Sequence, residues 1–360
     1  MHTSDVHTFD YSFLRNMALT PASASRLVRI EGSKNRMATF LRDNPGTAQD
    51  MYRIAMVRST NDSNDIEGIT TDDSRAIGLL TGLVGPRDFD EYMIMGDRDA
   101  LARIQEDHDT MEVEEETILD LFGTLFSYMG SNPGYKKWNN EVITRDASGK
   151  VVRRVKTVPY DKVEDCMFQL VGAYMEAKDD MGVPGILLIP CFVMDFLKIH
   201  PFQDGNGRMS RLLTVLMLHH HGFDICTCVS LESIIDRSKS DYYDALRLSG
   251  EGWFDNRSDY MPFIDYMVGA VLKAYGEMDE RIAACIGRDS KENRVERMMR
   301  DVSVPISKKE LCALMPDISE TYIELVVGRM VKDGRVERIG PKNSSRYVPR
   351  GRAPRIKIAE

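Results

Sequence analysis

Twelve consecutive residues carry most of the chemistry this chain could do: His200-Pro201-Phe202-Gln203-Asp204-Gly205-Asn206-Gly207-Arg208-Met209-Ser210-Arg211. His200 is the one side chain among them that accepts a proton near neutral pH. Asp204 offers a hard carboxylate oxygen, the kind taken by Mg2+ bound to phosphates. Gly205 and Gly207 permit positive φ, so backbone N–H groups can converge on one anion. Arg208 and Arg211 lie three apart, share a helix face and can reach the same polyphosphate. Together these are the parts needed for nucleotide-dependent transfer to a hydroxyl. Taken singly, each has an ordinary structural reading as a capping His, a Gly-Asn-Gly turn or solvated arginines. Their order within one short stretch points to the chemistry.

Helices must position that stretch. Apolar positions three and four apart predict helices over residues 23–41, 48–66, 113–129, 163–177, 185–199, 208–220, 242–248 and 260–286. Pro201 biases His200 away from helical angles, so the 185–199 helix should end there. The next helix then starts after the glycines, with its N-terminus and dipole turned toward a bound anion. One segment departs from the helical period. Residues 138–145 and 151–158 are extended and rich in Val, Ile and Thr, with the turn-like Asp146-Ala147-Ser148-Gly149-Lys150 between them. The expected fold class is mainly α, a helical bundle carrying one β-hairpin.

The stretch resembles the Fic (Fido) family signature, His-x-Phe-x-Asp/Glu-Gly-Asn-Gly-Arg-x-x-Arg, at every fixed position, and the likeness covers about residues 50 to 275. Fic proteins mostly move AMP from ATP to a protein Ser, Thr or Tyr hydroxyl. The resemblance implies that His200 is the general base and Phe202 a buried anchor of the loop. It makes Asp204 the Mg2+ ligand. Gly205, Asn206 and Gly207 become the α- and β-phosphate cradle, with Arg208 on the phosphates and Arg211 on the γ-phosphate. The hairpin resembles the family's target-docking flap, with Val155, Lys156, Thr157 and Val158 orienting a target segment by strand addition. Tyr242 and Tyr243, in a Tyr-Tyr-x-x-Leu stretch, resemble the adenine-side wall; their other reading is plain helix core.

A second stretch gains meaning from the first. Ser63-Asn64-Asp65-Ile66-Glu67-Gly68 ends the helix that begins near Ala48, with Gly68 as its stop. Glu67 then sits at the negative end of a helix dipole, an unfavourable place for a carboxylate without a cation partner. It resembles the inhibitory motif Ser/Thr-x-x-x-Glu-Gly/Asn of one Fic class, which implies that Glu67 pairs with Arg211 and spoils the pose of ATP. Ser63, Glu67 and Gly68 are the inhibitory residues under this reading.

The last seventy residues differ in charge. Residues 291–360 hold 16 Lys and Arg against 10 Asp and Glu, within a chain whose net charge is −9. Helices are predicted at 294–300, 307–314 and 319–332, followed by strands at 336–339 and 346–348, a winged-helix plan. The division expected is an N-terminal helical region (1–110), a Fic core (111–286) and a winged helix-turn-helix domain (291–350). DNA binding by the tail is a rival function. Glu320 and Glu324 near the start of its third helix oppose it, since acids there repel phosphates. Packing on the catalytic body, protein recognition or homodimerisation fit better.

His219, His220 and His221 suggest metal, but successive helix residues point about 100° apart and cannot easily share an ion. They read as last-turn residues that suit the dipole. Cys226 and Cys228 would share a face if extended, and read as core rather than as ligands. Scattered cysteines, no apolar run long enough for a membrane and no signal-like N-terminus place the chain in the cytoplasm. The expected function is an autoinhibited, Mg2+-dependent protein adenylyltransferase using ATP, acting on a target protein or itself. The alternatives are removal of AMP by the same site, or a DNA-binding regulator.

Overall fold

The computed structural model describes residues 2–18, 20–130, 134–145, 151–179, 183–285, 290–302, 304–341 and 345–350. The chain opens with a two-stranded ladder, β1 (His2–Thr3) and β2 (Thr8–Phe9). Proline then stands at the first position of both α1 (Pro21–Asp43) and α2 (Pro45–Glu67), where its missing N–H and fixed φ suit a helix start. Next come α3 (Asp73–Leu80), α4 (Phe89–Asp107) and α5 (Glu115–Leu125). The predicted hairpin forms as β3 (Glu141–Arg145) and β4 (Val151–Lys156), antiparallel, with Val142 opposite Val155 and a register shift at Thr144/Arg145. Its turn, 146–150, lies outside the described residues. The helices α6 (Val163–Lys178), α7 (Gly185–Ile199), α8 (Asn206–His220), α9 (Leu231–Arg237), α10 (Lys239–Ser249) and α11 (Met261–Ala284) follow. The tail contains α12 (Lys291–Asp301), β5 (Ile306–Ser307), α13 (Lys308–Leu314), α14 (Glu320–Lys332), β6 (Val336–Ile339) and β7 (Arg346–Pro349). Mainly α with a hairpin is thus the fold class.

Two compact units result, and neither is one contiguous stretch. The first comprises Met1–Ile30, Asp99–Asp224 and Ile235–Leu272. Its centre is α7, apolar on nearly every side and buried from Ile186 to Phe196, as a helix surrounded by others must be. Neighbouring α6 adds Met167, Leu170 and Tyr174, and α8 adds Met209, Leu212, Leu213 and Leu216, all buried.

The second unit comprises Glu31–Arg98, Ile225–Ile234 and Lys273–Glu360. The helices and hairpin expected in the tail are present, and β5 adds a third strand in the order β5-β7-β6. Their core is not self-contained. Ile54 and Val57 of α2 and Ile77 of α3 join Met298, Leu311, Ile323, Val326 and Tyr347 in one buried cluster. A buried ion-pair network accompanies it: Arg294 of α12 donates to both oxygens of Asp50 on α2, at 2.7 and 2.9 Å, and to both oxygens of Asp317.

Three helices went unpredicted: α3, α4 and α9. The reason is plainest for α4, whose inner face carries the fully buried Glu91 and the buried Asp97. Arg75 donates to Glu91 at 2.7 Å and Asn64 to Asp97 at 2.8 Å. Charges placed at buried positions hide a helical apolar period. No helix among the described residues is long and apolar enough to cross a membrane.

Candidate active site

The loop between α7 and α8 is built from two left-handed residues. His200 follows the last residue of α7 at φ 55, ψ 60, with its N–H bonded to Phe196 O. A non-glycine residue in this region is strained by roughly 1–2 kcal/mol, so the loop must be held by its surroundings. Gly205, at φ 80, opens α8. A Cβ there would lie 2.7 Å from the Phe126 ring, so only glycine fits both the angle and the space. The first i→i−4 bond of α8 is Met209 N–H to Gly205 O, which puts the N–H groups of Asn206, Gly207 and Arg208 ahead of the ladder at the positive helix end.

The side chains divide into anchors and chemical groups. Phe202 is fully buried and lies flat on Phe122, 3.8 Å between centroids and 3° between planes. Asn206, read as part of the phosphate cradle, ties its amide to the loop. Its Oδ1 accepts Phe202 N–H at 2.9 Å and its Nδ2 donates to Phe202 O at 2.8 Å. Asp204 is exposed, and its Oδ1 accepts the Gly205 N–H at 2.7 Å. Arg208 and Arg211 are 1% and 4% exposed, so both charges sit inside the molecule, Arg208 over the Phe126 ring at 5.3 Å. His200 is half-buried and Gly207 part-exposed.

Two buried polar groups behind the loop were not legible in the sequence. Lys136 is 4% exposed, and its Nζ donates to Asn140 Oδ1 at 2.8 Å, Thr157 Oγ1 at 3.0 Å and Ile199 O at 3.3 Å. Burial lowers its ammonium to about 8. Asp195, one turn before the end of α7, is fully buried and accepts from Tyr11 OH, Trp253 Nε1 and Tyr260 OH at 2.8, 2.8 and 2.9 Å. Burial pushes its carboxyl up to about 7, against the pull of those three donors. The N-terminal segment is thereby tied down, since His7 also stacks on Trp253 at 4.1 Å.

Other expected site residues fall as follows. In the flap, Val155 and Lys156 end β4, and Lys156 lies 5.3 Å over the Phe254 ring. Thr157 and Val158 are not strand residues; they are buried and root the hairpin. Tyr242 is 3% exposed within an aromatic group with Tyr243, Phe263 and Tyr266, as plain helix core would be. Tyr243 on the same helix is 45% exposed. In the second unit Ser63 is buried in α2, Glu67 is its exposed last residue, and Gly68 caps it at φ 78 through bonds to Asn64 O and Asp65 O.

The three histidines part ways. His219 stacks on His108 at 4.2 Å and its Nδ1 lies 3.0 Å from Asp224 Oδ1. These three residues bring ligand-type atoms within 4.8 Å of one another, although stacked rings set their lone pairs side by side rather than converging. His220 bonds His108 O and His221 meets Tyr174 OH. Cys226 lies in a 3-10 turn, Asp224–Thr227, not a strand, and Cys228 follows it; both are buried.

The Fic/DOC family model matches residues 112–218. Among curated relatives, Protein adenylyltransferase Fic of Drosophila mojavensis is 30% identical over 114 residues, 30% of this chain and 20% of that protein. A Fido domain-containing protein of Dictyostelium discoideum is 31% identical over 87 residues, 24% of this chain and 57% of that protein. The alignments thus span only part of each relative. Among solved structures, a Fic family protein from Desulfovibrio desulfuricans superposes with a TM-score of 0.62 at 20% identity, covering 94% of this chain and 99% of that one. A Fic domain containing signaling protein from Bacteroides thetaiotaomicron gives 0.57 at 20% identity, covering 73% and 100%. The signature lies within residues 112–218, the part that matches the Fic/DOC family model, and the fold is shared with the two solved Fic structures.

Proposed function

We propose that this chain is a protein adenylyltransferase, moving AMP from ATP to a Ser, Thr or Tyr hydroxyl of a target protein or of itself, and that Glu67 restrains it. The observation that carries the reading is the loop. An imidazole held in the left-handed region stands at the end of a buried helix, and the next helix begins with leading amides, a carboxylate and two buried arginines. Strain at a residue of this kind marks a position kept for function.

The roles follow from charge. His200 accepts the proton of the attacking hydroxyl as it approaches the α-phosphorus. The N–H groups that open α8, with Arg208 and Arg211, hold the phosphates and stabilise charge as pyrophosphate leaves. Both guanidiniums act from buried positions, where their field is little screened. The residues also fit Mg2+: one oxygen of exposed Asp204 is taken by Gly205 N–H, and the other is a hard donor for an ion that takes its remaining ligands from phosphate and water. A Mg2+ held there would neutralise charge on the phosphates.

Glu67 ends α2, and α2 shares a core and a buried ion-pair network with the tail. This supports a tail that fixes the helix carrying the brake, and it leaves the tail's Arg329 and Lys308 paired with Glu292 and Glu324 rather than turned to a nucleic acid.

The test is incubation with α-labelled ATP, Mg2+ and a cell lysate. Label should appear on protein, vanish with His200→Ala and rise with Glu67→Gly. Equal labelling by the unaltered chain and Glu67→Gly removes the brake, and label that survives His200→Ala removes the base. Release of AMP from a modified acceptor, lost with Glu67→Gly, would reverse the direction.

A further inference from the structure

Buried lysines are rare, and one whose ammonium meets only neutral oxygens needs a reason. The three acceptors of Lys136 Nζ come from three pieces of chain. Asn140 immediately precedes β3, Thr157 immediately follows β4, and Ile199 is the last residue of α7, next to His200. A tetrahedral fan of three N–H donors therefore spans both feet of the hairpin and the root of the catalytic loop. Flanking bonds follow the same lines. Lys136 N–H donates to Pro201 O at 2.8 Å, and Asn140 Nδ2 donates to Phe202 O at 3.1 Å. Thr157 Oγ1 lies 2.8 Å from Asn140 O. The carbonyls on both sides of strained His200 are thus held by the segment that launches β3.

We infer that Lys136 is a positioning residue, which fixes the register of the hairpin against His200 and so sets where a target hydroxyl, carried on a peptide strand added to the hairpin, meets the imidazole. This rests on the AMP-transfer reading above. The physical requirement is severe: reacting atoms must lie about 3–3.5 Å apart, and a misplacement of about 1 Å can cost 100-fold in rate. Nucleotide binding does not pass through this group, because the leading amides of α8 and the two arginines lie on the other side of the loop sequence. Loss of Lys136 should therefore separate target positioning from ATP affinity. Lys136→Met keeps the apolar stem and removes all three donors.

Three measurements on the full chain decide it. Hydrogen exchange of Lys136→Met should rise in residues 141–145, 151–156 and 199–202 and stay unchanged in α5 and in α8. Titration with Mg2+-ATP should give a Kd within about twofold of the unaltered chain, while AMP transfer at saturating ATP falls about 100-fold. Unchanged exchange in the hairpin and loop overturns the inference. So does transfer at the unaltered rate, or a rise in Kd that matches the loss of transfer. If the unaltered chain transfers no AMP to any acceptor, the AMP-transfer reading fails, and the exchange comparison alone then judges the tie between hairpin and loop.

Discussion

The loop proposed to carry the chemistry and the helix proposed to carry the brake are held by different forces. Around His200 the fastening is short-range and largely neutral. It consists of the Asn206 amide on Phe202, the Phe202–Phe122 stack, and one lysine among three uncharged oxygens. Along α2 the fastening is ionic as well as apolar, with Arg294 shared between Asp50 and Asp317 over a cluster containing Ile54 and Val57. Neutral, buried bonds are insensitive to salt and lock one geometry. The Arg294–Asp50 pair is buried and little screened by salt, whereas the Asp317 end is half-exposed and open to charged partners.

The largest effect expected from breaking this contrast is at Arg294. Arg294→Ala leaves the buried Asp50 carboxylate with the longer Arg53 pair, at 3.7 Å, and should destabilise the second unit by about 3 kcal/mol, read as an early urea transition. A loss under about 1 kcal/mol would mean that the ion pairs are not what holds α2. Asp195→Asn comes next. Tyr11, Trp253 and Tyr260 all donate to this carboxyl group, and an amide, with one acceptor oxygen in place of two, cannot satisfy three donors, so about 2–3 kcal/mol should be lost near pH 5. The pH dependence has a definite sign. Because burial raises Asp195 to about 7 in the fold, its stabilising contribution is complete below about 4, the unfolded value, and is lost as pH rises through about 7. His7 and His221, pushed down to about 4 by burial, act the other way between about 4 and 6.5. Melting curves of both proteins should therefore show a gap that shrinks from pH 4 to pH 7.5. A gap that widens contradicts the assignment.

Gly205→Ala should cost about 2 kcal/mol, since the new methyl meets Phe126 in the left-handed region. It should weaken ATP binding while leaving the unfolding of the second unit unchanged. At the small end, Arg36→Ala removes a pair with Asp279 at an exposed position, and its slight effect on stability should vanish in high salt.

The loop was readable because its residues are contiguous and their constraints local: Pro201 ends one helix, Gly205 starts the next, and both act on neighbours. Lys136 and Asn140 were not readable, since nothing in a Gly-Tyr-Lys-Lys-Trp-Asn-Asn stretch says which lysine turns inward. The bonds of the Asn206 amide to Phe202 were not readable either, because an amide that staples a loop and one that binds phosphate look alike in sequence. The tail was expected to stand as its own domain. Its apolar period shows that helices need a partner face, but not that Ile54, Val57 and Ile77 supply it from the far end of the chain.

The central claim is that His200 serves as the base for AMP transfer from a triphosphate held at the start of α8. Its most direct test is a paired measurement on the unaltered chain and His200→Ala: binding of Mg2+-ATP, and appearance of α-labelled against γ-labelled phosphate on protein. The account predicts equal nucleotide affinity, label from the α-phosphate alone, and its disappearance in the variant. Label arriving from the γ-phosphate, or persisting at full rate without the imidazole, contradicts it.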